Sequence, residues 1–204
     1  VQNTLTNFET DIFLPLIQEI EKISGQKYTA ARATDSAFRV IADHIRACTF
    51  AIADGAIPAN EGRGYVIRRL IRRAIKYARL LEIEKPFMAD LVPVVVTIMS
   101  DYYPEINHKK AYIQQIINKE ELRFHETLID GLNILQGVIK TSDDKEIDGK
   151  TAFKLYDTYG FPVELTLEYA EEAGFTVDEV GFNHELELQR NRARKAREDV
   201  NSMT

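Results

Sequence analysis

The sequence predicts an all-α protein, an irregular multi-helix bundle divisible into two helical subdomains. Apolar residues recur every third or fourth position along most of the 204 residues. Gly and Pro punctuate that pattern at helix-length intervals, and no alternating strand series or internal repeat interrupts it.

From Asp11 to Ile23, the residues Ile12, Phe13, Leu16, Ile17 and Ile20 repeat with helical period, and Gly25 ends the run. Asp35 or Ser36 is the expected N-cap of the next helix, in which Phe38, Ile41, Ile45, Cys48, Thr49 and Ile52 form one stripe ending at Gly55. Pro58 separates that helix from a basic one, and Pro86 and Pro104 bracket a short apolar helix. A longer pattern from His108 to Lys140 runs through Ile113, Ile117, Phe124, Leu128, Leu132, Leu135 and Ile139. The polar segment TSDDKEIDGK (141–150) is the expected hinge. Helices over 150–159 and 163–173, separated by Gly160 and Pro162, precede a charge-dense helix or linker from Asp178 onward. The expected boundaries are therefore 1–30 for a leading helical segment, 31–140 for the subdomain with the basic helix, and 141–204 for the second.

Charge is distributed unevenly. Between Arg63 and Arg79 stand seven cations (Arg63, Arg68, Arg69, Arg72, Arg73, Lys76 and Arg79) and no carboxylate, in a chain of net charge -6. At about 100° per residue, the six from Arg68 onward fall within an arc of roughly 140°. Ile67, Leu70, Ile71, Ala74, Ile75 and Ala78 fill the opposite arc. A solvated face ordinarily mixes signs, and like charges four residues apart repel. The ridge therefore points to a polyanion on one face, with some of its arginines binding phosphates and others pairing with carboxylates of neighbouring helices. Arg72 and Arg73 are the first choices for phosphate, with Arg68 and Arg69 next.

Other chemistries are poorly supported. One cysteine excludes a disulfide framework and a Cys-rich zinc module, and suits a reducing cytosol. No run of about 18 apolar residues offers a membrane span, and the first residues are unlike a signal peptide. A soluble cytoplasmic chain is expected. His44 and Cys48 are spaced i,i+4, but no further cysteine accompanies them, so no metal site is expected. His125 and the glutamates around it read as a helix surface. Gly55, Gly62 and Gly64 flank the basic helix without forming a phosphate-cradling motif.

Longer blocks carry a resemblance. FRVIADHIRACTFAIADGAIPANEGRGYVIRRLIRRA (38–74) resembles the signature of bacterial alanyl-tRNA synthetases. KEELRFHETLIDG (119–131) and DGKTAFKLYDTYGFPVELT (148–166) are similar to two further blocks of that family, in the same order. VQNTLTNFETDIF (1–13) is similar to the segment directly after that family's motif 3. The resemblance implies a helical tRNA-recognition region, with residues 1–30 at the end of the class II catalytic domain, that domain otherwise before Val1, and an editing domain after Thr204. It also implies that ATP with Mg²⁺ and the editing-domain zinc belong to the parent enzyme. The isolated chain, with no cofactor and no adenylation motifs of its own, would not activate alanine.

The same resemblance implies that Asn60 and Asp157 read a G·U wobble pair in the acceptor stem of alanine tRNA. The minor groove of A-form RNA is shallow enough for side chains to reach base edges. A carboxylate only accepts hydrogen bonds, which suits the guanine amine left without its usual partner, whereas the Asn amide both donates and accepts. The competing reading of Asn60 is a helix cap, and that of Asp157 an ion-pair partner. From other classes come a helical adaptor whose cationic ridge meets an acidic protein, and a duplex-DNA reader indifferent to A-form geometry. The resemblance disfavours both.

Overall fold

The computed structural model describes residues 4–29 and 32–202, and among these it is mostly helical. A 3₁₀ turn at Asn7–Glu9 precedes α1 (Leu14–Ser24), α2 (Arg32–Ala53), α3 (Gly62–Leu80), α4 (Met88–Met99), α5 (Pro104–His108) and α6 (Lys110–Thr141). Then follow β1 (Glu146–Ile147), α7 (Gly149–Asp157), α8 (Val163–Glu172), β2 (Thr176–Val177) and α9 (Glu179–Ser202). The chain divides into two compact units, one up to His125 and one from Glu126 onward. The division falls inside α6, upstream of the polar segment expected to be the hinge.

In the first unit, α2 packs along α3, and α1 and α4 pack against α2. The stripe that the sequence marks on α2 is the one it buries: Phe38, Ile41, Ile45, Cys48, Thr49 and Ile52 are all sealed. Helix α1 starts at Leu14, later than its apolar pattern, because Pro15 is best accommodated in a first turn. It stops at Gly25, whose left-handed backbone lets its N–H reach the Glu21 carbonyl. The expected capping of α2 is corrected. The helix begins at Arg32, so Asp35 lies within its first turn, where Oδ1 accepts the Thr29 N–H at 2.5 Å.

Two features of α4 are settled from α6. Pro93 sits inside α4 and removes the N–H that would bond the Ala89 carbonyl. Gln114 Nε2 donates to that carbonyl instead, at 3.1 Å. At the N-terminus of α4, fully buried Glu121 accepts the N–H groups of Phe87 and Met88 on its two oxygens, each at 3.0 Å. A carboxylate there satisfies orphan donors and meets the positive end of the helix dipole.

In the second unit, β1 and β2 pair in parallel, Glu146 beside Thr176 and Ile147 beside Val177. Within residues 141–150, Ile147 is fully buried and Asp148 serves as N-cap of α7. Asp148 accepts from the Thr151 backbone N–H at 2.9 Å and its hydroxyl at 2.7 Å. Burial raises the Asp148 pKa, but these hydrogen bonds outweigh it and leave the carboxyl below its usual range. Phe153 and Tyr156 of α7 close on Phe182 of α9, with ring centroids 6.3 and 5.6 Å away.

Candidate nucleic-acid interface

The loop between α2 and α3 presents Asn60. It turns at Gly55, with φ of 88°, and is tied to the start of α3 by a bond from the Ala59 N–H to the Gly64 carbonyl at 3.0 Å. Only glycine fits at position 64, since a Cβ would collide with the Ile57 carbonyl oxygen and the Ala59 side chain. Glu61, with extended backbone and no side-chain cap bond, takes the N-cap position, so Asn60 is not the cap. Asn60 is exposed, and its Oδ1 accepts a hydrogen bond from Arg68 Nη1.

The cations of α3 divide by partner. Arg68 donates from Nε and Nη2 to the two oxygens of Glu120, at 2.9 and 3.2 Å. Arg72, only 3% exposed, donates from Nε and Nη2 to Glu120 Oε1 at 2.9 and 2.5 Å, and stacks over Phe124. Burial pulls the Arg72 pKa down while Glu120 opposes that pull, as a desolvated but paired guanidinium requires. Lys76 is also buried, near the Tyr77 ring. Arg73 stacks over the same ring and donates to His44 Nε2 at 3.2 Å. An arginine has no acceptor, so His44 Nε2 must accept, leaving Nδ1–H to face Asp43 at 3.0 Å. Arg69 and Arg79 are half-buried and Arg63 is exposed. Arg63 and Arg79 have no hydrogen-bond or ion-pair partner among the described residues.

Arg68 and Arg72 are among the arginines that pair with a carboxylate of a neighbouring helix. Arg72, the first choice for phosphate, is sealed against Glu120, and Lys76 is buried as well. The reading of the glutamates near His125 as a helix surface fails for Glu120 and Glu121, which are buried, and holds for Glu126, which is exposed. The signal that could have found Glu120 lay in α3 itself. Cations carrying no carboxylate of their own require one from a neighbouring helix once that face is buried.

Asp157 is the last residue of α7, exposed, and in the second unit, whereas Asn60 lies in the first. Its Oδ1 accepts from Gln189 Nε2 of α9 at 2.5 Å. No cation pairs with it among the described residues. A carboxylate at a helix C-terminus opposes the dipole, so helix stability does not explain its placement. Cys48 lies sealed in the α2 stripe, where burial pushes its thiol far above the ordinary range. No group of three or more side chains able to hold a metal occurs among the described residues, and no described helix is long and apolar enough to cross a membrane.

An exposed amide therefore stands beside a basic helix in a mostly helical chain, and sequence comparison gives the family. The family model for class II tRNA synthetases (A) matches residues 1–204, and the chain belongs to that family. Alanine–tRNA ligase of Bacillus pumilus is 58% identical over 206 residues, covering all of this chain and 24% of the relative. The alanine–tRNA ligases of Geobacillus kaustophilus and Bacillus subtilis are 59% and 57% identical over the whole chain. The chain thus spans about a quarter of the length of these curated relatives. Because the family model matches from end to end, the chain belongs to the class II synthetase domain, which corrects the expectation of a separate recognition region beyond it.

Proposed function

We propose that this helical part of a class II synthetase holds the acceptor stem of alanine tRNA, so that the enzyme containing it can join alanine to the 3′ end. Asn60 and Asp157 read the G·U wobble from the minor groove. The observation that carries this reading is the exposed Asn60 just before α3, whose oxygen accepts from Arg68, with the exposed Arg63 three residues further on. Arg63 stands in the first turn of α3, where unsatisfied backbone N–H groups also favour an anion. The names of the relatives supply the amino acid and the tRNA.

Within this reading the cations have separate tasks. Arg63 and Arg79 attract phosphate and position the stem, while Arg68, Arg72 and Glu120 hold the surface in shape. Asp157, held through Oδ1 by Gln189, offers acceptor capacity to the guanine amine. Asn60 brings to the base edges an amide, a group that both donates and accepts.

The test is binding of the full chain to two acceptor-stem hairpins that differ only in G·U against G·C, beside Asn60→Ala and Asp157→Ala. A lost base contact is worth about 1–3 kcal/mol by analogy with DNA readout, so a preference of roughly tenfold for G·U, lowered in both variants, is expected. Equal binding of the two hairpins by the wild type would overturn the reading. Equal competition by an acidic protein would favour the adaptor.

A further inference from the structure

We infer that Arg123 of α6 is a phosphate-binding residue, set over a buried cluster of two arginines and one glutamate that carries an excess of positive charge, and that the phosphate it takes belongs to the backbone of the bound RNA. The inference rests on the RNA-binding reading given above and adds to it a contact from a second helix.

The cluster is built on Glu120. Arg68 donates to it from Nε and Nη2, and Arg72 does the same, so its two oxygens already receive four bonds. Both guanidinium groups are largely out of solvent, with the Arg68 side chain 11% exposed and that of Arg72 4%. Arg123 follows Glu120 by three residues in α6. At about 100° per residue it lies roughly 60° round the helix from Glu120. The next residue, Phe124, lies under the Arg72 guanidinium at 4.8 Å. All of these residues stand in the first compact unit.

Arg123 belongs to the cluster electrostatically as well. The Arg72 guanidinium meets Glu120 as its opposite charge, and Arg68 and Arg123 as like charges that push its pKa down. Three guanidinium charges against one carboxylate leave an excess of two. Arg68 and Arg72 are committed to Glu120, whereas Arg123 is exposed and has no hydrogen-bond or ion-pair partner among the described residues. Glu120, already saturated, gives Arg123 no structural task. Its planar fork matches two oxygens of a phosphate. The buried charges beneath are screened by salt far less than a solvated face would be, so they add to the attraction. An anion bound at Arg123 relieves the repulsion that the three cations impose on one another.

The experiment is a salt titration of the full chain binding to the G·U and G·C acceptor-stem hairpins, with Arg123→Ala, Arg123→Lys and Lys119→Ala beside wild type. Lys119→Ala removes an exposed cation of the same helix outside the cluster, and thermal melting shows that each variant remains folded. Arg123→Ala is expected to weaken both hairpins alike and to reduce the slope of log affinity against log salt by about one. Its deficit against wild type then shrinks about fourfold between roughly 50 and 200 mM salt. Arg123→Lys keeps the charge and should keep the slope, and Lys119→Ala should leave it near that of wild type. An unchanged slope in Arg123→Ala, an equal fall in Lys119→Ala, or a loss confined to the G·U hairpin would overturn the inference while the RNA-binding reading stands. If wild type binds neither hairpin, both fall together.

Discussion

Arg72 and Glu120 form a buried ion pair in which one carboxylate oxygen receives two donors of one guanidinium, at 2.9 and 2.5 Å. It joins α3 to α6 and stands behind the exposed residues at the head of α3. Removing one partner of such a pair leaves an uncompensated charge, at a cost of about 3–5 kcal/mol. Glu120→Ala should therefore destabilise the chain by that amount in urea unfolding. Arg72→Met, which leaves Glu120 its bonds from Arg68, should cost distinctly less.

Glu121 makes a separate prediction. Its two oxygens accept the N–H groups of Phe87 and Met88, so Glu121→Ala strands two buried donors. Hydrogen bonds to charged groups are worth about 1.5–3 kcal/mol each, so a loss of about 3 kcal/mol or more is expected in denaturant unfolding. Glu121→Gln keeps one acceptor oxygen and should fall between wild type and alanine.

Asp148 gives the pH dependence. Its folded pKa lies below the unfolded one, so its stabilising contribution is complete above the unfolded value of about 3.9 and fades as pH falls through the folded value. Asp148→Ala should cost about 1 kcal/mol at neutral pH, the usual worth of an N-cap. Thermal melts of wild type and variant should converge as the pH drops below 4, roughly the unfolded carboxyl value.

The helices were legible because each shows its own period and its own stops. The α2 stripe from Phe38 to Ile52 and the Gly25 cap followed from local rules. The partners of α3 did not, because a helical wheel places a cation on an arc without saying which second helix covers that arc. The need for some neighbouring carboxylate was legible in α3, but Glu120 is 48 residues from Arg72 and nothing between them says which carboxylate meets it. The same limit applies at Asn60. Local preference made it a cap, but Glu61 took that place and Arg68 took its oxygen. Pro93 ran the other way: a local helix breaker is tolerated inside α4 because Gln114 satisfies the freed carbonyl.

Arg63 and Arg79, which have no partner among the described residues, should set the salt dependence. Arg63→Ala or Arg79→Ala should weaken G·U and G·C hairpins alike and reduce the slope of log affinity against log salt by about one. Binding titrations from low to moderate salt check this. Unchanged slopes in both variants would remove them from the phosphate contacts.

The most direct test of the central claim replaces the wobble guanosine by inosine, which lacks the exocyclic amine and leaves the rest of the base in place. Wild type should bind the inosine hairpin more weakly than the guanosine hairpin by roughly tenfold, the scale of one lost base contact, and Asp157→Ala should bind the two equally. Wild-type affinity that is the same for both hairpins would contradict the account, because the carboxylate would then have no amine to read.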